Sequence, residues 1–103
     1  MISTTADLDT FLTTQLRGEL LPPAELAQLE TPDQFSHAYG LGMQIIPLPC
    51  GITVDGHEGG IYGYSDFVLS TLDRARRVEV AVTTANGPSG QVAETLLEDA
   101  FCR

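Results

Sequence analysis

Apolar and polar positions change period several times along the chain, and each change marks an element. Leu8, Phe11, Leu12 and Leu16 recur at helical spacing and so share one face of a first helix. Ser3-Thr4 followed by Asp7 gives that helix a capping-box-like start, with a short acid in the usual glutamate position, and Gly18 supplies a stop. Leu20-Leu21-Pro22-Pro23 leads to a short second helix running through Glu30, with Pro23 in its first turn and Leu26 and Leu29 on its buried side. Thr31-Pro32 ends it, and the polar residues 33–37 read as a loop.

From Tyr39 to Ile46 the period drops to two. Tyr39, Leu41, Met43 and Ile45 face one way and Gly40, Gly42 and Gln44 the other, which describes a strand with one face open to close packing. Pro47 and Pro49 exclude a central strand, so 47–51 is expected to turn around Cys50. Ile52 to His57 returns as a second strand. It runs into the glycine-rich stretch from Val54 to Tyr64, which reads as a strand end passing into a tight loop. Asp66 to Leu72 and Arg77 to Thr83 are two further strands joined across Asp73-Arg74-Ala75, with Val78, Val80 and Val82 facing inward. Asn86-Gly87-Pro88-Ser89 breaks the pattern, with Ser89 placed as an N-cap. Val92, Leu96, Leu97, Ala100 and Phe101 then stripe a final helix. Two helices, four strands in antiparallel hairpins and one helix make an α+β single domain over residues 1–103.

Composition narrows the function. The 103 residues allow one modest core, and a hydrophobic share of 43% is too high for a disordered tail. A net charge of -9 argues against nucleic-acid or anionic-membrane partners, which need a cationic footprint. All the bases are arginines, so no mechanism here can use a lysine as base, Schiff-base former or phosphate clamp. No apolar run is long enough to span a membrane, and Met1-Ile2-Ser3-Thr4-Thr5 lacks the features of a signal peptide. Cys50 and Cys102 are too few for a disulfide scaffold and form no CxxC motif. They could pair with each other, which would imply an oxidising compartment and an export signal lying outside this sequence.

His57 is the candidate titrating group, and it stands just before Gly59-Gly60. Backbone N–H groups freed from the ladder at a glycine turn can point at an anion or a developing oxyanion, although a plain β-bulge or hairpin corner needs the same residues. Cys50, His57, His37 and the nearby acids have irregular spacing and form no zinc motif, and no cofactor is implied. None of the serines at 3, 36, 65, 70 and 89 stands in Gly-x-Ser-x-Gly or Ser-x-x-Lys.

In combination, several short stretches resemble the C-terminal part of the penicillin-recognising serine hydrolases. They are Tyr39-Gly40-Leu41-Gly42, Cys50-Gly51, Gly56-His57-Glu58-Gly59-Gly60-Ile61-x-Gly63-Tyr64 and Leu97-Glu98-Asp99-Ala100-Phe101-Cys102. The branch they resemble comprises the secreted actinobacterial D-alanyl-D-alanine carboxypeptidases and class C β-lactamase-like proteins. Residues 1–8 look like the helix start that follows the family's central helical region, so the resemblance covers essentially the whole chain. It implies a partial β-lactamase/transpeptidase-like fold and acyl transfer from a peptide, ester or β-lactam carbonyl to serine, then hydrolysis.

Three motifs meet in that family's cleft, and the one written Lys/His-x-Gly corresponds to His57-Glu58-Gly59. By the resemblance, His57 orients substrate, the amide of Gly60 donates to the oxyanion, and His57, Glu58, Gly59 and Gly60 line the substrate site. The other two motifs are missing. A chain without lysine has no Ser-x-x-Lys, and the one asparagine, Asn86, is preceded two residues earlier by Thr84 and gives no Tyr-x-Asn. Glu58 replaces a small hydroxyl and would repel a terminal carboxylate, while Gln44-Ile45-Ile46 stands where related carboxypeptidases carry an arginine. The chain is therefore expected to be a C-terminal segment that needs the missing motifs for activity. The alternative is a non-catalytic module, stand-alone or truncated, that self-associates through an exposed sheet edge. The resemblance further implies a Cys50–Cys102 disulfide and an extracellular or cell-envelope location.

Overall fold

The first helix begins where a threonine hydroxyl can serve an amide that the helix leaves unpaired. In a computed structural model, which describes residues 1–35, 38–83 and 89–103 (backbone alone for 89–93), Thr4 Oγ1 accepts the Asp7 N–H at 3.1 Å. Helix α1 runs Thr5–Leu16, and Gly18, at φ 74°, takes the left-handed conformation that ends it. Leu12 and Leu16 are buried, whereas Phe11, expected on the same face, is largely exposed. Helix α2, Pro23–Glu30, opens on proline as expected, and its Leu29 packs partly against Leu12, Leu16 and Met43.

The strand expected from Tyr39 to Ile46 is shorter. Strand β1 is Gln44–Pro47, and Tyr39 makes only an isolated bridge with Gln44. Between them the chain turns: Gly40 N–H donates to Met43 O at 2.8 Å and Gly42 sits at φ 96°. A Cβ on Gly40 would collide with the Leu29 carbonyl, so this turn is pressed against the end of α2. Alternation here comes from a turn: Met43 is 2% exposed and Leu41, two residues before it, 63%.

Strands β2 (Thr53–Ile61), β3 (Tyr64–Thr71) and β4 (Arg77–Val82) follow, giving an antiparallel sheet in the order β1-β2-β3-β4. The glycine stretch is strand, not the loop its composition suggested. Gly59 pairs with Asp66, Gly60 with Ser65 and Ile61 with Tyr64. The turn is the two-residue Tyr62-Gly63, closed by Gly63 at φ 81°. Helix α3, Ser89–Phe101, ends the chain; Asn86, Gly87 and Pro88, read as a break, lie outside the described residues, as does His37.

Each face of the sheet carries a cluster. Leu12, Leu16 and Met43 pack with Ile45 and Val68 on one side, and Leu48, Val54, Phe67, Leu69 and Phe101 on the other. Phe101 is fully buried, which fixes the last turn of α3 to the sheet. Arg74 ties the helices to the β3–β4 turn. It holds φ 61°, a conformation that costs a non-glycine residue free energy. Its side chain offsets that cost by donating to Leu16 O at 2.8 Å, to Leu72 O at 2.9 Å and to Glu30 Oε1 at 2.8 Å. No helix among the described residues is long and apolar enough to cross a membrane.

Cys50 and Cys102 form a disulfide across 52 positions, joining the β1–β2 turn to the end of α3. Closing a loop of that size stabilises the fold by about 4 kcal/mol in the chain-entropy account. Replacing both cysteines by serine is expected to lower the unfolding free energy by that order in urea titration, with little change in the far-UV spectrum of the folded state. Equal midpoints for the two proteins would contradict it.

Candidate functional site

Strand β2 outlasts its neighbour. Strand β1 pairs with it only from Thr53 to Gly56, so from His57 onward β2 has β3 on one edge and no strand among the described residues on the other. Side chains take over at that edge. Gln44, the first residue of β1, accepts the Glu58 N–H on its Oε1 at 3.2 Å and donates from Nε2 to Glu58 Oε1 at 3.5 Å. His57 Nδ1 lies 2.6 Å from the Glu58 carbonyl oxygen, and Tyr39 Oη lies 2.9 Å from His57 Nε2. Both main-chain groups of Glu58 are thus engaged.

Backbone groups in an antiparallel strand alternate between its two edges. The Glu58 amide faces the β1 side and pairing with β3 continues unbroken to Ile61, so the Gly60 N–H and C=O face that side as well. Among the described residues nothing hydrogen-bonds the Gly60 amide there. It is the first open donor beyond the sealed stretch. Its position is fixed by the register with Ser65, and a Cβ at Gly60 would meet nothing nearer than Tyr64 O at 3.8 Å and Ser65 Oγ at 4.0 Å. The donor comes from the sheet edge and not from a glycine turn as composition suggested.

His57, Glu58, Gly59 and Gly60 are all exposed along this edge. Gly59 faces β3 through its pairing with Asp66, so its own amide does not point into the open side. Ser65, on β3, makes no side-chain hydrogen bond among the described residues, so no base touches it. Cys50 and Cys102 are engaged with each other at the opposite end of β2, which removes the thiol a metal site there would need. Sequence reading missed two participants. Tyr39 and Gln44 lie 18 and 14 positions from the groups they bond, and only the fold brings them together.

The class that this fold defines is α+β, matching part of the β-lactamase-like hydrolase fold. The chain is similar to the crystal structure of a D-stereospecific amidohydrolase from a Streptomyces species, with a TM-score of 0.80 and 31% sequence identity. The match covers 97% of this chain and 30% of that one, so the chain spans about a third of the length of the protein it matches. No protein-family model matches the sequence.

A second carboxylate stands two residues before His57 and was not singled out by the sequence. Asp55 is 1% exposed, and among the described residues its Oδ1 has no hydrogen-bond partner. Burial, with the Glu30 carboxylate adding to it and Arg74 opposing, pushes its pKa up from 3.8 to about 6. The folded state therefore holds this proton more tightly than the unfolded chain. Its contribution to stability is complete below pH 3.8, falls as the pH rises towards about 6 and is flat above that. Asp55→Asn should abolish that fall and, at neutral pH, leave the protein more stable by about 2 to 3 kcal/mol. Urea midpoints measured from pH 3.5 to 8 test this, and an unchanged pH slope in the variant would refute it.

Proposed function

We propose that residues 1–103 are the C-terminal segment of a serine hydrolase of the β-lactamase and D-alanyl-D-alanine carboxypeptidase kind. They supply one wall of a cleft whose nucleophile and base come from the Ser-x-x-Lys and Tyr-x-Asn part. The observation that carries this reading is the open Gly60 amide beside His57, on the sheet edge where the ladder stops. The similarity to a D-stereospecific amidohydrolase supports it.

In this reading a substrate carbonyl lies against the β2 edge with its oxygen at the Gly60 N–H. Charge grows on that oxygen as the serine adds, and a donor held by strand register needs no reorganisation to stabilise it. His57 orients the substrate from the same edge. Glu58 keeps its carboxylate exposed and disfavours acyl donors ending in a free carboxylate, so amide or ester substrates fit better than peptides with a charged terminus. The disulfide is compatible with an extracellular or cell-envelope setting.

A second reading, a non-catalytic module that self-associates, is favoured by one feature. A surface cavity of about 700 Å³ lies between the N-terminal residues and the hairpin tip, lined by apolar side chains including Ile2, Leu8, Ile61 and Val82. Together with the outer edge of β4, it offers a second chain both strand pairing and apolar contact.

Segment replacement separates the two readings. The chain substituted for the matching third of the Streptomyces amidohydrolase should restore hydrolysis of an amide substrate, whereas the 103 residues alone should form no adduct with a labelled penicillin. In the hybrid, Gly60→Pro, which removes the N–H at an edge position without cutting a bond to β3, should lower kcat about 100-fold. Gly60→Ala keeps the donor and should stay near the parent activity. An inactive hybrid that folds, with the isolated chain dimeric by light scattering, would favour the second reading.

A further inference from the structure

Tyr39 precedes the tight turn at Gly40 and is bridged to Gln44 on the outer side of β1, yet its side chain reaches β2. Its hydroxyl oxygen lies 2.9 Å from His57 Nε2, and the two rings meet edge to face at 5.8 Å with an interplanar angle of 81°. The other ring nitrogen, Nδ1, lies 2.6 Å from the Glu58 carbonyl oxygen. A carbonyl oxygen only accepts, so the proton sits on Nδ1. In the neutral ring Nε2 is then left with a lone pair, and the Tyr39 hydroxyl must be the donor to it. If the ring takes a second proton the hydroxyl can rotate and accept, so the contact survives in both charge states.

We propose that Tyr39 is a positioning residue for the Gly60 site: its hydroxyl locks His57 as the Nδ1–H tautomer, and the locked ring seals the Glu58 carbonyl one step before the open Gly60 amide. Two consequences follow from the geometry. The histidine cannot pivot towards a ligand while Nδ1 is tied to its own strand and Nε2 to the loop before β1. Any ligand at the edge therefore meets a ring of fixed orientation, backed by a phenol, with its Nε2 already occupied. The sheet edge is also sealed from two directions, by Gln44 on the Glu58 N–H and by Tyr39 through His57 on the Glu58 C=O. That leaves Gly60 as the point where a carbonyl can dock. The importance of this lock for turnover rests on the proposed hydrolase function, but the lock itself does not.

The test is made on the 103-residue chain. Long-range proton–nitrogen NMR spectra of the labelled protein at about pH 9, where histidine rings are neutral, report the tautomer directly, with His37→Gln used to assign the two rings. Wild-type His57 is expected to be mainly Nδ1–H. In Tyr39→Phe, with the remaining amide spectrum unchanged, the ratio of Nδ1–H to Nε2–H should fall about threefold or more, because Nε2 loses its donor. Tyr39→Met serves in its place if the phenylalanine variant fails to fold. A mainly Nε2–H ring in the wild type, or an unchanged ratio in the folded variant, overturns the proposal. An inactive hybrid enzyme with the tautomer lock intact would overturn only the hydrolase reading.

Discussion

Strand β2 is longer than the strand beside it, and the rest of the structure is arranged around that mismatch. A bare strand edge carries main-chain donors and acceptors that must find partners or stay wet. Here β1 serves β2 as far as Gly56, and two side chains serve the next outward-facing residue, Glu58. At Gly60 the covering stops. The result is a single main-chain position, held rigidly by its pairing with Ser65, whose donor and acceptor face outward. What the position needs is its N–H: an added Cβ would find ordinary contacts there, whereas proline would remove the donor.

Rigidity at this point is generated elsewhere. The apolar clusters on the two faces grip the first half of β2, where Val54 is fully buried, and leave the second half exposed. The disulfide anchors the turn that feeds β2, while Arg74 stitches α1, α2 and the β3–β4 turn together on the side facing away from α3. Asp55 works against stability. It is a buried carboxyl with an oxygen unpaired among the described residues, in the strand that bears the site, and buried groups of that kind are costly to keep. The nearby charges act on it in opposite directions, Glu30 raising its pKa and Arg74 lowering it, and burial outweighs both.

Much of this was legible in the sequence where the signal is local. The Thr4 cap, the Pro23 start and the Gly18 stop are each decided by a few adjacent residues, and all three stand in the structure. Spacing misled where two structures share one pattern. A turn pressed on Leu29 gives the same alternation over residues 39–43 as a strand does, and a glycine-rich strand has the same composition as a glycine-rich loop. The exposure of Phe11 and the partners of His57 and Glu58 were out of reach, because each depends on which elements pack together. The resemblance located the edge by its motif. It could not tell that Gln44 and Tyr39 bound it, nor that Asp55 lies buried beside it.

The central claim is that β2 presents its Gly60 amide to the open edge while its neighbours in the strand are paired. Amide hydrogen exchange of the isolated chain, resolved by residue, tests this most directly. Gly59 and Ile61 face β3 and Glu58 donates to Gln44, so all three should exchange slowly, and Gly60 should exchange about tenfold faster or more than either neighbour. If Gly60 is as protected as Gly59 and Ile61, or if all four exchange at the rate of an unstructured loop, the edge described here does not exist in solution.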